Sequence, residues 1–454
     1  MFDVLGKILA GVRADYADIR YEEMRETVIA FSGRELTGVS ANDTDGFVVR
    51  VLNGGGMASV AFTKPGEAPK AVKTALENAS LFAGNRDRPI RLAGVKAAAA
   101  SFAPDLKEDP RRVPMAEKLD LVGCYNDIPL KHPSVANTNI SYSEVYRRKH
   151  FASTEGARIQ EDLLTTGVRG LITAKDGSLT QNMRVAAGGS DGFGNIRGQE
   201  ELFERQTKLV VDLLKAQPVK SGVRRCVLNP DLAGVFAHEA FGHFSEADIV
   251  ETLPAMRKKM KLGTRLGSES LSIVDDATRP GQLGFYKYDD EGVAVRPTQL
   301  IKDGVLVGRL HSRRTAAEFG EPLTGHCVAE DYRYAPIVRM GTIFIQPSDK
   351  SLDELLAILG DGLYLLNAKG GQTAGENFTF GANYGYLVKG GKVGGMVRDI
   401  NISGNLYRTL MDIRAVGSDL ELGKTGGCGK GQTNIRSCHG GPHIVIDNLV
   451  VGGI

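Results

Sequence analysis

The residues with the clearest capacity for metal chemistry are His238, Glu239 and His243, which stand within one short segment of the chain. Two imidazoles can bind a divalent cation, and a carboxylate beside them can act as a base toward a water on that cation. Residues five apart in a regular α-helix are separated by about 140° around the axis, whereas residues four apart are separated by about 40°. Two histidines that far apart cannot reach one ion from a straight helix. We therefore predict a π-bulge or a helix end at Phe241 to His243, permitted by Gly242.

A catalytic zinc normally has three protein ligands and one open position, so this segment needs a third ligand from elsewhere. The available acids, thiols and imidazoles are Glu246, Asp248, His326, Cys327, Cys428, Cys438, His439 and His443. Cys428 stands out, because the glycines on both sides of it let the backbone bring a thiolate close to a metal. Cys438, His439 and His443 are the rival set. They could form a second metal site with Cys428, or only a turn before the next strand.

The element that carries the first histidine is predicted to be a helix that starts at Asn229. Asn229 is a favourable N-cap, and Pro230 occupies the first helical position, where its missing N–H costs nothing. Its apolar stripe should pack on the core and leave His238 and Glu239 to one side. The residues of this stripe are Leu232, Val235, Phe236 and Ala240.

The remaining pattern predicts an α+β fold in which an N-terminal sheet-and-helix domain is followed by a β-rich C-terminal domain that carries the metal-site helix. We place the boundary near residues 217–222, giving domains 1–217 and 218–454. Helical periodicity predicts helices at 3–14, 64–82, 113–126 and 200–216. Strand signals cover 18–31, 46–52, several short runs in 136–185, and hairpin strands at 378–388, 393–402 and 444–451.

The composition is that of an ordinary globular chain. Its 454 residues are 42% hydrophobic and 24% charged, with a formal net charge of +2. The chain has no long run of one charge sign, so nothing in it predicts nucleic-acid binding. It also has no apolar stretch long enough to span a bilayer. We expect a cytoplasmic protein without a membrane or nucleic-acid partner. The five scattered cysteines favour free thiols or metal ligands over disulfides.

Taken together, these segments resemble the TldD/PmbA family, and specifically its metal-bearing TldD-like branch. The matching motifs run in order through nearly all of the second half: His238-Glu239-Ala240-Phe241-Gly242-His243 with Glu246 and Asp248, Val274-Asp275-Asp276, Asp289-Asp290-Glu291-Gly292, Arg339-Met340, Gly370-Gly371-Gln372, Gly427-Cys428-Gly429-Lys430 with Gln432, and Val451-Gly452-Gly453. The first half matches more loosely, around Ser153-Thr154-Glu155-Gly156. After Arg339-Met340, Gly341-Thr342 stand where the family usually has Thr-Asn.

The resemblance implies a zinc peptidase with ligands His238, His243 and Cys428 and with Glu239 as the general base. It implies small or unfolded peptides as substrates, through leader removal or peptide degradation. It also implies a dimer, either of this chain or with a PmbA-like subunit. Arg339 or Lys430 is expected to contact the substrate and to stabilise the oxyanion.

Two other functions remain open. One is a non-catalytic partner or regulatory protein of the gyrase-modulator type that the family's older description suggests. The other is a closed structural zinc site built from Cys428, Cys438, His439 and His443, in which His238 and Glu239 are incidental.

Overall fold

The computed structural model describes residues 1–85, 88–423 and 425–452 and is a mixture of helices and sheets, as the sequence predicts. The α-helices span Phe2–Ala10, Ala68–Gly84, Met115–Leu130, Glu200–Leu213, Pro230–Ala240, Ala247–Thr252, Pro254–Lys259, Arg313–Phe319, Leu352–Leu359 and Leu406–Met411. The four helices predicted in the first half are all present, with ends that shift by a few residues. No helix in the described part of the chain is long and apolar enough to cross a membrane.

The first half is built on one seven-stranded sheet. Its strands are Tyr16–Ser32, Glu35–Asn53, Gly56–Phe62, Ala99–Phe102, Val135–Ser153, Arg158–Asp176 and Leu179–Gly189. The first two helices cover one end of this sheet over a core that includes Leu5, Val49 and Ala75, and the next two cover the other end over Tyr125 and Phe203.

The expectation of several short strands between residues 136 and 185 is wrong. Two strands of 19 residues each, Val135–Ser153 and Arg158–Asp176, pair along almost their whole length. Asn139, Ser141 and Ser143 alternate with the buried Ile140 and Tyr142, so these polar residues mark one face of a strand and do not end it.

The second half contains a closed ring of strands. The strands Gly362–Ala374, Gly222–Leu228, Ile444–Gly452, Ile400–Asn405 and Asn377–Lys389 pair in this order, and the last also pairs with the first. Three further strands, Lys392–Arg398, Gln217–Pro218 and Ile413–Val416, join this sheet. Asn377–Lys389 pairs with Lys392–Arg398, which confirms the hairpin predicted from the strands 378–388 and 393–402.

A second C-terminal sheet has six strands, in the spatial order Val305–Leu306, Thr298–Lys302, Ile273–Asp275, Thr342–Ile345, Cys438–Gly441 and Glu421–Leu422. A two-stranded ribbon, Cys327–Val328 with Ile337–Val338, lies apart from it. The helix Pro230–Ala240 packs between the eight-stranded and the six-stranded sheet of the second half, with strands of both against it. Phe236 is fully buried and meets Phe378 of the strand ring edge to face, with ring centroids 5.6 Å apart. Packing from both sides fixes this helix rigidly, which is what a metal ligand on it requires.

The two halves meet through buried ion pairs. Arg147 of the N-terminal sheet holds Glu22 of a neighbouring strand and also contacts the backbone of Ala329. Lys149 of the same strand reaches Asp290 of the C-terminal half at 3.0 Å. These charges are almost completely buried, so each one depends on its oppositely charged partner.

Candidate metal centre

The helix that carries His238 starts and stops at defined residues. The Asn229 side chain accepts a hydrogen bond from the Leu232 N–H at 3.1 Å, as expected of an N-cap. The helix ends at Ala240, and Phe241 leaves helical geometry with φ −137° and ψ −37°. A 3₁₀ turn follows at Gly242–Ser245. The predicted irregularity at Phe241 to His243 is therefore confirmed.

This break brings the two imidazoles together. The rings of His238 and His243 are 5.0 Å apart between centroids and nearly perpendicular. Gly242 permits this helix end without a left-handed backbone, because its φ does not lie in that region. A Cβ at this position would collide with the sulfur of Met340. The glycine therefore lets the turn lie directly against Met340.

Cys428 reaches the two histidines from the far end of the chain. The backbone N–H groups of Cys428 and Ile435 bond to each other's carbonyls at 3.0 and 3.2 Å, which closes the base of the loop between them. The Cys428 Sγ lies 3.0 Å from His238 Nε2 and 3.5 Å from His243 Nε2. The three ligand atoms all lie within 4.8 Å of one another.

This donor set fits zinc. Zinc is bound by imidazole nitrogens and thiolates at about 2.0 to 2.3 Å, and the ligand atoms of a tetrahedral site then lie about 3.3 to 3.6 Å apart. The two contacts to Cys428 Sγ are close to that range. Three protein ligands leave one position for water or substrate, which is the arrangement of catalytic zinc sites.

The surroundings of the two histidines differ. Burial, together with the nearby His243, lowers the pKa of His238 well below its usual value, so its ring is neutral and able to bind a cation. Burial also lowers the pKa of His243, but the hydrogen bonds to Cys428 and Glu246 outweigh it and raise that pKa to about 10. A cation at the centre would displace this proton from His243.

Glu239 lies next to the first ligand but outside the group of three. The Thr373 hydroxyl is 2.8 Å from Glu239 Oε2 and 2.6 Å from the Glu239 carbonyl oxygen. Gly371, two residues earlier on the same strand, passes so close that a Cβ there would be 2.9 Å from Glu239 Cγ. The carboxylate is therefore held in place by one hydroxyl, and the glycine leaves room for it.

Arg339 and Lys430 both contact protein groups. Arg339 is completely buried, with its Nε 3.6 Å from the Glu246 carboxylate. The Lys430 ammonium lies 2.9 Å from Asp248 and 2.9 Å from Glu246, and it donates to the Val338 carbonyl at 2.6 Å. A substrate contact by either side chain stays a prediction. The sequence offered Glu246 only as a possible ligand, but its buried carboxylate lies beside Arg339, Lys430 and His243. Its position three residues after His243 was the available signal.

The other C-terminal candidates do not belong to this group of ligands. The Cys438 thiol donates to the Gly423 carbonyl, and burial raises its pKa to about 11. His443 lies between Asp419 and the Tyr364 hydroxyl, at 2.5 and 2.8 Å. His439 lies beside the centre, with its ring centroid 5.8 Å from that of His238. Within residues 1–85, 88–423 and 425–452, His238, His243 and Cys428 are the single group of three possible ligands within reach of one ion. The four residues of the alternative structural site do not come together.

Comparison with known proteins places the chain in a class of metallopeptidases. Sequence models described as PmbA/TldA metallopeptidase domain 1, central domain and C-terminal domain match residues 17–79, 108–217 and 221–453, respectively. The chain therefore belongs to the TldD/PmbA family. A metalloprotease of Synechocystis sp. is 35% identical over 97% of this chain and 95% of its own length. A zinc metalloprotease TldD homolog of Saccharolobus solfataricus is 32% identical over 74% of this chain and 75% of its own.

Solved structures share the fold. A Thermotoga maritima protein described as a candidate modulator of a DNA gyrase superimposes with a TM-score of 0.81 at 20% identity, over 99% of this chain and all of that one. TldE from Thermococcus kodakarensis superimposes with a TM-score of 0.76 at 19% identity, over the full length of both chains. At this level of identity, the likeness extends to the fold alone.

Proposed function

We propose that this protein is a zinc-dependent peptidase that hydrolyses small or unfolded peptides, for leader removal or peptide degradation. The observation that carries the proposal is the meeting of three zinc-type ligand atoms, from His238, His243 and Cys428, within 4.8 Å of one another. Glu239 stands beside them as a carboxylate that is not one of the ligands. Full-length relatives named metalloproteases support the same conclusion.

The roles of the protein groups follow from their positions. Zinc, when bound, would polarise the scissile carbonyl and lower the pKa of its bound water to about 7. Glu239 accepts the proton of the attacking water and later delivers it to the leaving amine. Thr373 keeps the Glu239 carboxylate oriented through its contact with Oε2. Arg339 and Lys430 remain our proposed contacts to the substrate oxyanion.

A strand edge next to Glu239 suits an unfolded peptide. The strand Gly362–Ala374 pairs with Gly222–Leu228 only over residues 363–365, while its other side pairs with Asn377–Lys389 up to the hairpin end. The N–H groups of Asn367 and Ala368 on this edge already bond to Asn229 and Asp231. A peptide added beyond Ala368 would gain main-chain hydrogen bonds without selection of its side chains. Such binding requires an extended chain, so folded proteins would be excluded.

The cellular setting is proposed on chemical grounds. All five cysteines are free thiols, as in proteins of a reducing compartment, so we propose the cytoplasm. We further propose that the functional unit is a dimer, either of this chain or with a PmbA-like subunit.

The test combines metal analysis with a cleavage assay on the purified full chain. We expect about one zinc per chain and cleavage of an unfolded peptide, lost on chelation and restored by added zinc. A chain that binds no zinc and cleaves no peptide would refute the proposal and favour a non-catalytic partner of the gyrase-modulator type.

A further inference from the structure

One buried carboxylate contacts both chain segments of the metal centre. Glu246 is completely buried, and no N–H within hydrogen-bonding distance satisfies its Oε1 in the described residues. Three cationic or proton-bearing groups surround it: the His243 imidazole, the Lys430 ammonium and the Arg339 guanidinium. Because burying a carboxylate costs free energy unless charges compensate it, this grouping requires an explanation.

The first contact concerns the ring orientation of a proposed ligand. His243 Nδ1 lies 3.3 Å from Glu246 Oε2, and His243 Nε2 is the atom directed at Cys428. A carboxylate next to Nδ1 favours the form of the ring that carries a proton there. The Nε2 lone pair is then free for a cation, as in the carboxylate–histidine–metal arrangements of many metal sites.

The second contact concerns the loop that supplies the thiolate. Lys430, two residues after Cys428, places its ammonium 2.9 Å from Glu246 Oε2. The same ammonium donates hydrogen bonds to Asp248 and to the Val338 carbonyl, whereas its contact with Glu246 is an ion pair. These bonds tie the Cys428 loop to the segment that follows His243.

We infer that Glu246 is a positioning residue that preorganises the metal centre, by orienting the His243 ring and by anchoring the Cys428 loop through Lys430. The inference rests on the proposed zinc site. His243 and Cys428 are 185 residues apart in sequence, so nothing in the local chain holds their ligand atoms 3.5 Å apart. A shared ion-pair partner does this before any metal arrives, which reduces the ordering that metal binding must impose.

The test measures zinc affinity by chelator competition in the wild type, Glu246→Gln and Lys430→Met. Removal of such supporting contacts typically costs 10 to 100-fold in metal affinity, and we expect a loss of about this size in both variants. The double variant should lose less than the product of the two single losses, because both changes break the same link. The absorption spectrum of the Co²⁺ form, which reports the ligand set, should keep its thiolate band in the two single variants and in the double variant.

Glu321→Gln is the matched control. Glu321 also joins a histidine to a cationic side chain, with His311 Nε2 at 2.9 Å and Arg309 as the other partner, but it lies outside the metal centre. Its replacement should leave zinc affinity unchanged. Thermal unfolding of the metal-free variants separates a loss of affinity from a general loss of stability.

The outcomes separate this inference from the proposed function. A wild type that binds no zinc would refute the zinc site itself. A wild type that binds zinc, with Glu246→Gln and Lys430→Met equally tight, would overturn only the role of Glu246. If Glu246→Gln does not fold, Lys430→Met decides, since Lys430 is partly exposed and its loss should weaken zinc binding in a folded chain.

Discussion

Replacement of Glu239 by Gln is the sharpest test of the chemistry. The substitution preserves the shape of the side chain. The new amide oxygen can still accept a hydrogen bond from the Thr373 hydroxyl, which lies 2.8 Å from Oε2 in the wild type. Glu239 is not one of the three grouped ligand residues, so the metal should stay bound. The change removes only the group that accepts a proton from the attacking water.

The expected magnitude follows from the role of a general base. Such a group contributes about 10² to 10⁴-fold to the rate. The activation free energy should rise by about 2.7 to 5.4 kcal/mol, at 1.36 kcal/mol for each factor of ten. We expect this loss in kcat, with a KM and a zinc content close to those of the wild type.

The assay follows cleavage of an unfolded, fluorescently labelled peptide, with zinc measured on the same preparations. Glu251→Gln serves as the control. It is the same chemical change on a nearby short helix, at a carboxylate that pairs with Arg314 at 2.6 Å. That variant should retain wild-type kcat. Wild-type cleavage by Glu239→Gln would refute its role as base, and loss of zinc would mean that Glu239 contributes to the ligand set.

Three further changes test the surroundings of the centre. Thr373→Val removes one hydrogen bond to Glu239, worth about 0.5 to 1.5 kcal/mol, and should lower kcat by up to about tenfold without changing zinc content. Cys428→Ser should abolish zinc binding, whereas Cys438→Ser should retain it because that thiol bonds to the Gly423 carbonyl; equal zinc contents would contradict the ligand assignment. Gly242→Val forces a side chain into Met340 and should destabilise the fold by about 1 to 3 kcal/mol in urea unfolding; an unchanged midpoint would contradict the close contact.

Local patterns in the sequence were sufficient for several elements around the centre. Asn229 followed by Pro230 predicted the start of the helix, and the spacing of His238 and His243 predicted its interruption. Both predictions depend on short-range geometry, in which a few neighbouring residues determine the backbone. The lengths of the strands in 136–185 were not predictable in this way, because pairing over 19 residues is stabilised by the neighbouring strand.

The sequence by itself determined the residue types that can bind zinc and the break that turns one histidine toward the other. Spacing left the third ligand open among thiols, acids and imidazoles, since it carries no information across 190 residues, and only the family resemblance named Cys428. Only the tertiary structure brings Cys428 to the histidines and directs Cys438 and His443 to other partners. It also places the Glu246 carboxylate beside His243, Lys430 and Arg339. The physical reason is that ligand distances of 3.0 and 3.5 Å arise from packing a helix between two sheets, and that packing depends on contacts from the whole second half of the chain.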